Sequence, residues 1–410
     1  NSVYSAGTLD WTAGGALTNR AVNSLTIDTT NSGGTIDMGE STNILTLTSL
    51  GILFKGPNNA TLTGGQVGAA GSEVIVHQVG TGALTINSQV SSGAGSLTKG
   101  GSGALALTGL NTFTGGIAMN GGTLSLNSAN RFTGDVTISA GTVQLGHARA
   151  LNSTPGSENG VIFGSGSTGA LAVNGQSVVV RNLTTDVLAP GAAVVQNGGA
   201  TNAVLTVGNV GNQSGTFAGV IQDGSGGGTL GLTKAGTGVL TLTNANTYTG
   251  TTTINAGTLF LTGAGTLAGP VTLNGGALRI ANSGTDVAVN RISDSAAFNS
   301  NGGALFFNNA TGGGLAFTET VGPTTLNAGH TSMWLSGTSP TLTLTSLTKH
   351  NYAVLTVQSV GTVRALSGVP ANLVATGSIV GPWANASNGT TINEYLTTNA
   401  AGNFDPLPKS

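Results

Sequence analysis

The residues of this chain that could do chemistry are few and scattered. Asp286, Arg291 and Asp294 lie close together, and Asp28, Asp37 and Glu40 form a second acidic grouping. Carboxylates beside an arginine on one exposed face would suit polysaccharide cleavage, one acid protonating the leaving oxygen while the other takes a proton or attacks. In a chain with 14 acidic residues, however, two such groupings arise without function, and solvated turns account for them. His330 and His350 are spaced so that they could stack on neighbouring coils. A zinc site needs three or four ligands, and with His77 and His147 far off and no cysteine in the chain it lacks them. The expectation is a protein that is not an enzyme, with no catalytic residue, no metal and no cofactor, and with its binding residues unassigned.

Composition narrows the elements that would position any site. Only 6% of the 410 residues are charged and 69 are glycine, whereas an average soluble chain has about 25% charged residues. Thr, Gly, Asn, Val and Leu dominate, the vocabulary of strands and tight turns rather than of helices. An apolar content of 38%, placed in regular alternation, argues for a packed interior and against disorder. The net charge of −2 comes from thinly spread residues, leaving no basic stripe for nucleic acid. No apolar run is long enough to offer a membrane span within this segment. The absence of cysteine excludes disulfides and suits a polypeptide that crosses a periplasm unfolded. Asn1 is not preceded by a basic and apolar leader, so either a signal peptide has been removed or this is an excised segment.

One tripeptide recurs, an aliphatic residue, Thr and a second aliphatic. It stands at Leu25–Ile27, Leu45–Leu47, Leu84–Ile86, Val136–Ile138, Leu205–Val207, Leu240–Leu242, Val271–Leu273, Leu342–Leu344 and Leu355–Val357. A period of two turns both aliphatics to one face and the threonine to the other. Glycine-containing turns follow, as at Asn120–Gly122, Asn255–Gly257 and Asn274–Gly276, where the chain can change direction. The interval from Asn255 to Asn274 is the size of a solenoid unit, which extrapolates to roughly 20 coils along the chain. Phe260, between Leu259 and Leu261, should point outward, where it would touch a sugar, another protomer or a covering loop.

The strongest signal is a duplication. Leu97–Leu126 and Leu232–Leu261 align without a gap at 17 identical positions. The shared residues are leucines, turn glycines and an Asn-Thr-aromatic-Thr-Gly run, the makings of a stacking unit. These readings give an all-β chain, a parallel β-helix or β-solenoid. Residues 1–345 form the solenoid, with repeats at about 97–126 and 232–261, and residues 346–410 form C-terminal coils and a cap or linker.

The residues Lys234, Gly236, Gly238, Leu240, Leu242, Asn246, Tyr248, Gly250, Asn255, Gly257 and Leu259 resemble the autotransporter-associated β-strand repeat, of PATR type, found in large secreted bacterial surface proteins. Lys99, Gly101 and Gly103 begin the earlier copy. The resemblance implies a right-handed parallel β-helix exported to the cell surface, without catalytic residues. It points to a secreted, extracellular structural or adhesive protein, a rod acting as stalk, passenger or repeating fibre subunit in surface attachment or matrix. Its partners would be other copies of itself, end to end or laterally, or surface glycans of a host or neighbouring cell. A self-stacking filament subunit is the alternative, and a polysaccharide-degrading β-helix enzyme a more distant one. The terminal AAGNFDPLPKS departs from the alternating aromatic strands of a membrane barrel, so the barrel lies beyond this segment or another export system is used.

Overall fold

The computed structural model describes residues 2–5, 7–10, 19–69, 73–91, 95–152, 154–209, 212–282, 290–309, 318–337, 341–350 and 352–359, with the strands 366–367, 384–387, 394–398 and 404–406. Among these residues there is no helix, and parallel stacked sheets form a β-solenoid of about 13 turns. The described residues divide into two compact units, Asn1–Ala203 with Gly224–Gly228, and Val204–Asp223 with Thr229–Ser410.

Alternation explains the strands. In eight of the nine aliphatic-Thr-aliphatic tripeptides both aliphatics are buried and the threonine is partly exposed. The ninth departs from this. Thr356 is buried, with the imidazole Nε2 of His330 2.7 Å from its hydroxyl, and the side chain of Val357 falls outside the described residues.

In the first unit one ladder runs in parallel from Val74–Gln78 through Leu97–Gly100, Ile117–Leu126 and Val136–Leu145 to Val161–Phe163. A second ladder runs from Ala83–Ile86 through Ala104–Leu107 to the later halves of the two long strands. In the second unit Leu232–Lys234 stacks on Thr252–Ile254, Val271–Leu273, Phe298–Ser300 and Thr324–Leu326. Beside it, Val239–Leu242 stacks on Thr258–Leu261, Ala277–Asn282, Gly303–Asn309, Gly329–Gly337 and Ala353–Ser359. Antiparallel pairing enters only at Ala384–Ser387, Glu394–Thr398 and Phe404–Pro406 among the described strands.

The interval between Asn255 and Asn274 does not hold throughout, and this corrects the coil count. Leu259 pairs with Leu278 at that spacing, but Leu278 pairs with Leu305, a distinctly longer step. Leu25 pairs with Ile52 over an equally long one. Many coils spend extra residues between their strands, so fewer fit into the chain.

The corners explain the recurring glycines. Gly101, Gly122 and Gly141 all have positive φ, at 75°, 72° and 79°. A Cβ on them would lie 1.9, 2.3 and 2.5 Å from a carbonyl oxygen of the preceding coil, so the position is closed to other residues both conformationally and sterically.

Candidate functional site

Asp28 is held down at about 2 by its bond to Lys55, 2.9 Å away, and by the hydroxyl and N–H of Thr30. The carboxylate of Asp37 accepts the Gly39 N–H at 2.9 Å, and Glu40 is exposed on a turn. The Asp28 and Asp37 carboxylates order their own loops. Asp286 lies outside the described residues. Arg291 is fully buried, so it cannot face a substrate on the surface alongside Asp294.

Arg291 belongs to an internal clasp whose acid, Glu319, is distant from it in sequence. Glu319, also fully buried, accepts the Ile292 N–H at 2.8 Å and the Arg291 N–H at 3.0 Å, while the Arg291 guanidinium donates to the Gly265 carbonyl at 3.0 Å. Burial pushes the Glu319 carboxyl up to about 7, and Asp294 adds to the rise against the pull of the two amides and Arg291. Acid and base come from segments well separated in the chain, and only the stacking brings them together. The histidines are not brought together either. His330 stands opposite Val354, whereas Lys349, beside His350, stands opposite Leu326. Among the described residues no group of three His, Cys, Asp or Glu could hold a metal ion.

The duplicated residues build two other internal devices. Lys99 is fully buried, and its ammonium donates to the carbonyls of Gly100, Gly101 and Gly121 at 2.9, 3.0 and 3.1 Å. Burial lowers it to about 8, while the three acceptors favour the charged form. Lys234 makes the same turn-closing contacts with Ala235 and Gly236. In the next coil the register places Met119 opposite Lys99 and Ile254 opposite Lys234, so the lysine marks the first coil of each pair.

The Asn-Thr-aromatic run makes the third side of the coil. The amide of Asn111 accepts the Val90 N–H at 3.1 Å and donates to Asn130 at 2.8 Å; Asn130 in turn donates to the Ala150 carbonyl at 3.0 Å. Below them Phe113 and Phe132 stack with centroids 4.9 Å apart. Asn246 repeats the pattern, accepting from Ile221 and donating to the Asn244 and Thr266 carbonyls, with Tyr248 buried beside it. Each asparagine satisfies backbone groups that lack a strand partner.

The outward face carries a further row of side chains. Phe260 does point out. It is half-buried beneath Arg279, whose guanidinium carbon lies 4.6 Å from the ring centroid. Parallel register continues this position as Thr241, Phe260, Arg279, Phe306 and Trp334, all on one side of the sheet. Phe306 and Trp334 meet at 5.8 Å. Beside the row lies a groove of about 370 Å³ lined by Val239, Thr258, Asn308 and Ser336 together with Phe260, Arg279 and Phe306.

Residues 97–126, 119–145, 232–259 and 256–280 match the family model described as passenger-associated-transport-repeat. That is two segments more than the duplication reveals, because the second and fourth keep the leucine pattern but lose the lysine. No curated protein and no solved structure matches the chain. With matched segments stacked coil on coil in both units, the chain is a parallel β-solenoid that carries passenger-associated-transport-repeats.

Proposed function

We propose that this chain is an extracellular structural and adhesive segment of a bacterial surface protein, the stalk or passenger that holds contact residues away from the cell. The observation that carries this reading is the division of labour within the matched repeats. Their buried residues stack coil on coil, while the outward positions differ between the two regions, Ser125 and Gln144 in one standing where Phe260 and Arg279 stand in the other. Hydrogen bonds between coils make such a column resistant to bending and proteolysis. Its mechanism is contact rather than turnover. Labelling intact cells of the source organism with antibody or protease tests it. Surface-accessible chain is the expected result, and chain reached only after lysis would overturn the reading.

A self-stacking filament subunit is the second reading. It is favoured by the sparse charge and the net charge near zero, which promote association. Negative-stain imaging at rising concentration separates the two, since only stacking gives particles that lengthen. An enzyme would leave new reducing ends or unsaturated products on a polysaccharide panel, and none are expected.

A further inference from the structure

We propose that the outward row Phe260, Arg279, Phe306 and Trp334 is a binding platform for a linear polysaccharide lying along the direction of coil stacking. The proposal deepens the surface-attachment reading and rests on it only for the partner being extracellular.

The argument starts from what the row offers. Strands in a sheet are about 4.8 Å apart, so four rungs give a track of roughly 14 Å with a side chain at each step. That step is comparable to the length of a sugar ring. A pyranose has an apolar face of C–H groups and a rim of hydroxyls, and it needs a flat ring beneath and hydrogen-bonding groups alongside. The row supplies both. Three of its four members are aromatic, and Trp334, at 38% exposure, is an aromatic left open to solvent. Arg279 has no carboxylate partner among the described residues, only the Phe260 ring. The Asn308 amide and Ser336 hydroxyl border the same groove.

The flanking column explains why the track is open. Thr258, Ala277, Ala304 and Ser332 stand in register two positions before the row. These small side chains leave a trough beside the rings in which hydroxyls can sit. A nucleic acid would want several cations, and this row has one. An added protein strand would want a free sheet edge, and each of these strands is paired on both sides.

The test uses the whole purified chain in native gels containing, in turn, soluble β-glucan, xylan, galactan or polygalacturonate. At least one should retard the wild type saturably. Trp334→Ala should weaken that binding about tenfold, as the loss of a stacking contact predicts, whereas Trp334→Phe should keep most of it. Arg279→Gln should also weaken it, most for polygalacturonate if a carboxylate is the contact. Gln144→Ala, the matching outward position in the first unit, should change nothing. Melting curves establish that each variant is folded. The proposal is overturned if no polysaccharide binds, if Trp334→Ala binds like the wild type, or if sedimentation shows the row joining two copies of the chain instead. Failure to bind would remove this platform and leave surface display standing, because cell labelling reads that separately.

Discussion

The two matched regions, 97–145 and 232–280, share their inward aliphatic rows and differ outside. Leu105, Leu124 and Val143 are buried in the first, and Leu240, Leu259 and Leu278 occupy the same places in the second. One residue further along, the outward series reads Ala106, Ser125, Gln144 in the first region and Thr241, Phe260, Arg279 in the second. The interior is constrained because each aliphatic must fill the space over the coil below. The outward positions carry no such demand. A single scaffold therefore presents a bland face in one place and an aromatic one in another.

The sharpest way to break this comparison is through the shared interior. Leu124→Ala and Leu259→Ala should each cost about 2–5 kcal/mol, by similar amounts, in denaturant unfolding followed by circular dichroism. A cost confined to one region would show that the two interiors are not equivalent.

The pH dependence should separate the units next. The folded chain holds the Glu319 carboxyl at about 7, above its ordinary 4.5, so the protonated form is preferred in the fold. Its contribution is fully present below about pH 4.5 and disappears as pH rises through 7, a loss of up to about 3 kcal/mol. Hydrogen exchange at the Arg291 and Ile292 amides should accelerate over that window beyond the intrinsic rate, while amides around Leu124 do not. Glu319→Gln should flatten the response.

A smaller effect probes the buried ammonium. Lys99→Met leaves three carbonyls without their donor and should cost about 2–3 kcal/mol, and Lys234→Met, with two such carbonyls, less. Thermal melts of both variants compare them. An equal or reversed order would show that the cage does not set the cost.

The smallest effect belongs to the outward face. Exchanging the outward pairs, Ser125→Phe with Gln144→Arg and Phe260→Ser with Arg279→Gln, should shift stability by no more than about 1 kcal/mol either way. A larger loss in the second exchange would show Phe260 to be structural, and melting temperature reads it.

The inward rows were legible because alternation and duplication both pointed to Leu105, Leu124, Leu240 and Leu259. The rows that depend on coil length were not. The steps from Phe260 to Arg279, from Arg279 to Phe306 and from Phe306 to Trp334 are unequal, and no constant period connects them. Glu319 was hidden for the same reason, since its partner Arg291 is adjacent only once the coils are stacked. Arg291 is near Asp286 and Asp294 in sequence, but its buried acidic neighbour is Glu319, because closeness in sequence is not closeness in space. Lys99 and Lys234 are legible as part of the repeat, but a lysine at an inward position gives no sign of which carbonyls will receive it.

The unequal steps between coils have a practical consequence. The chain takes more residues to pass from Leu278 to Leu305 than from Leu259 to Leu278, yet the pairing on either side stays in register. The surplus is absorbed without disturbing the ladder. A foreign peptide grafted at Asp294–Ser295, an exposed turn within that longer step, should be tolerated in the same way, making this turn a natural place to install epitopes or tags for engineered display.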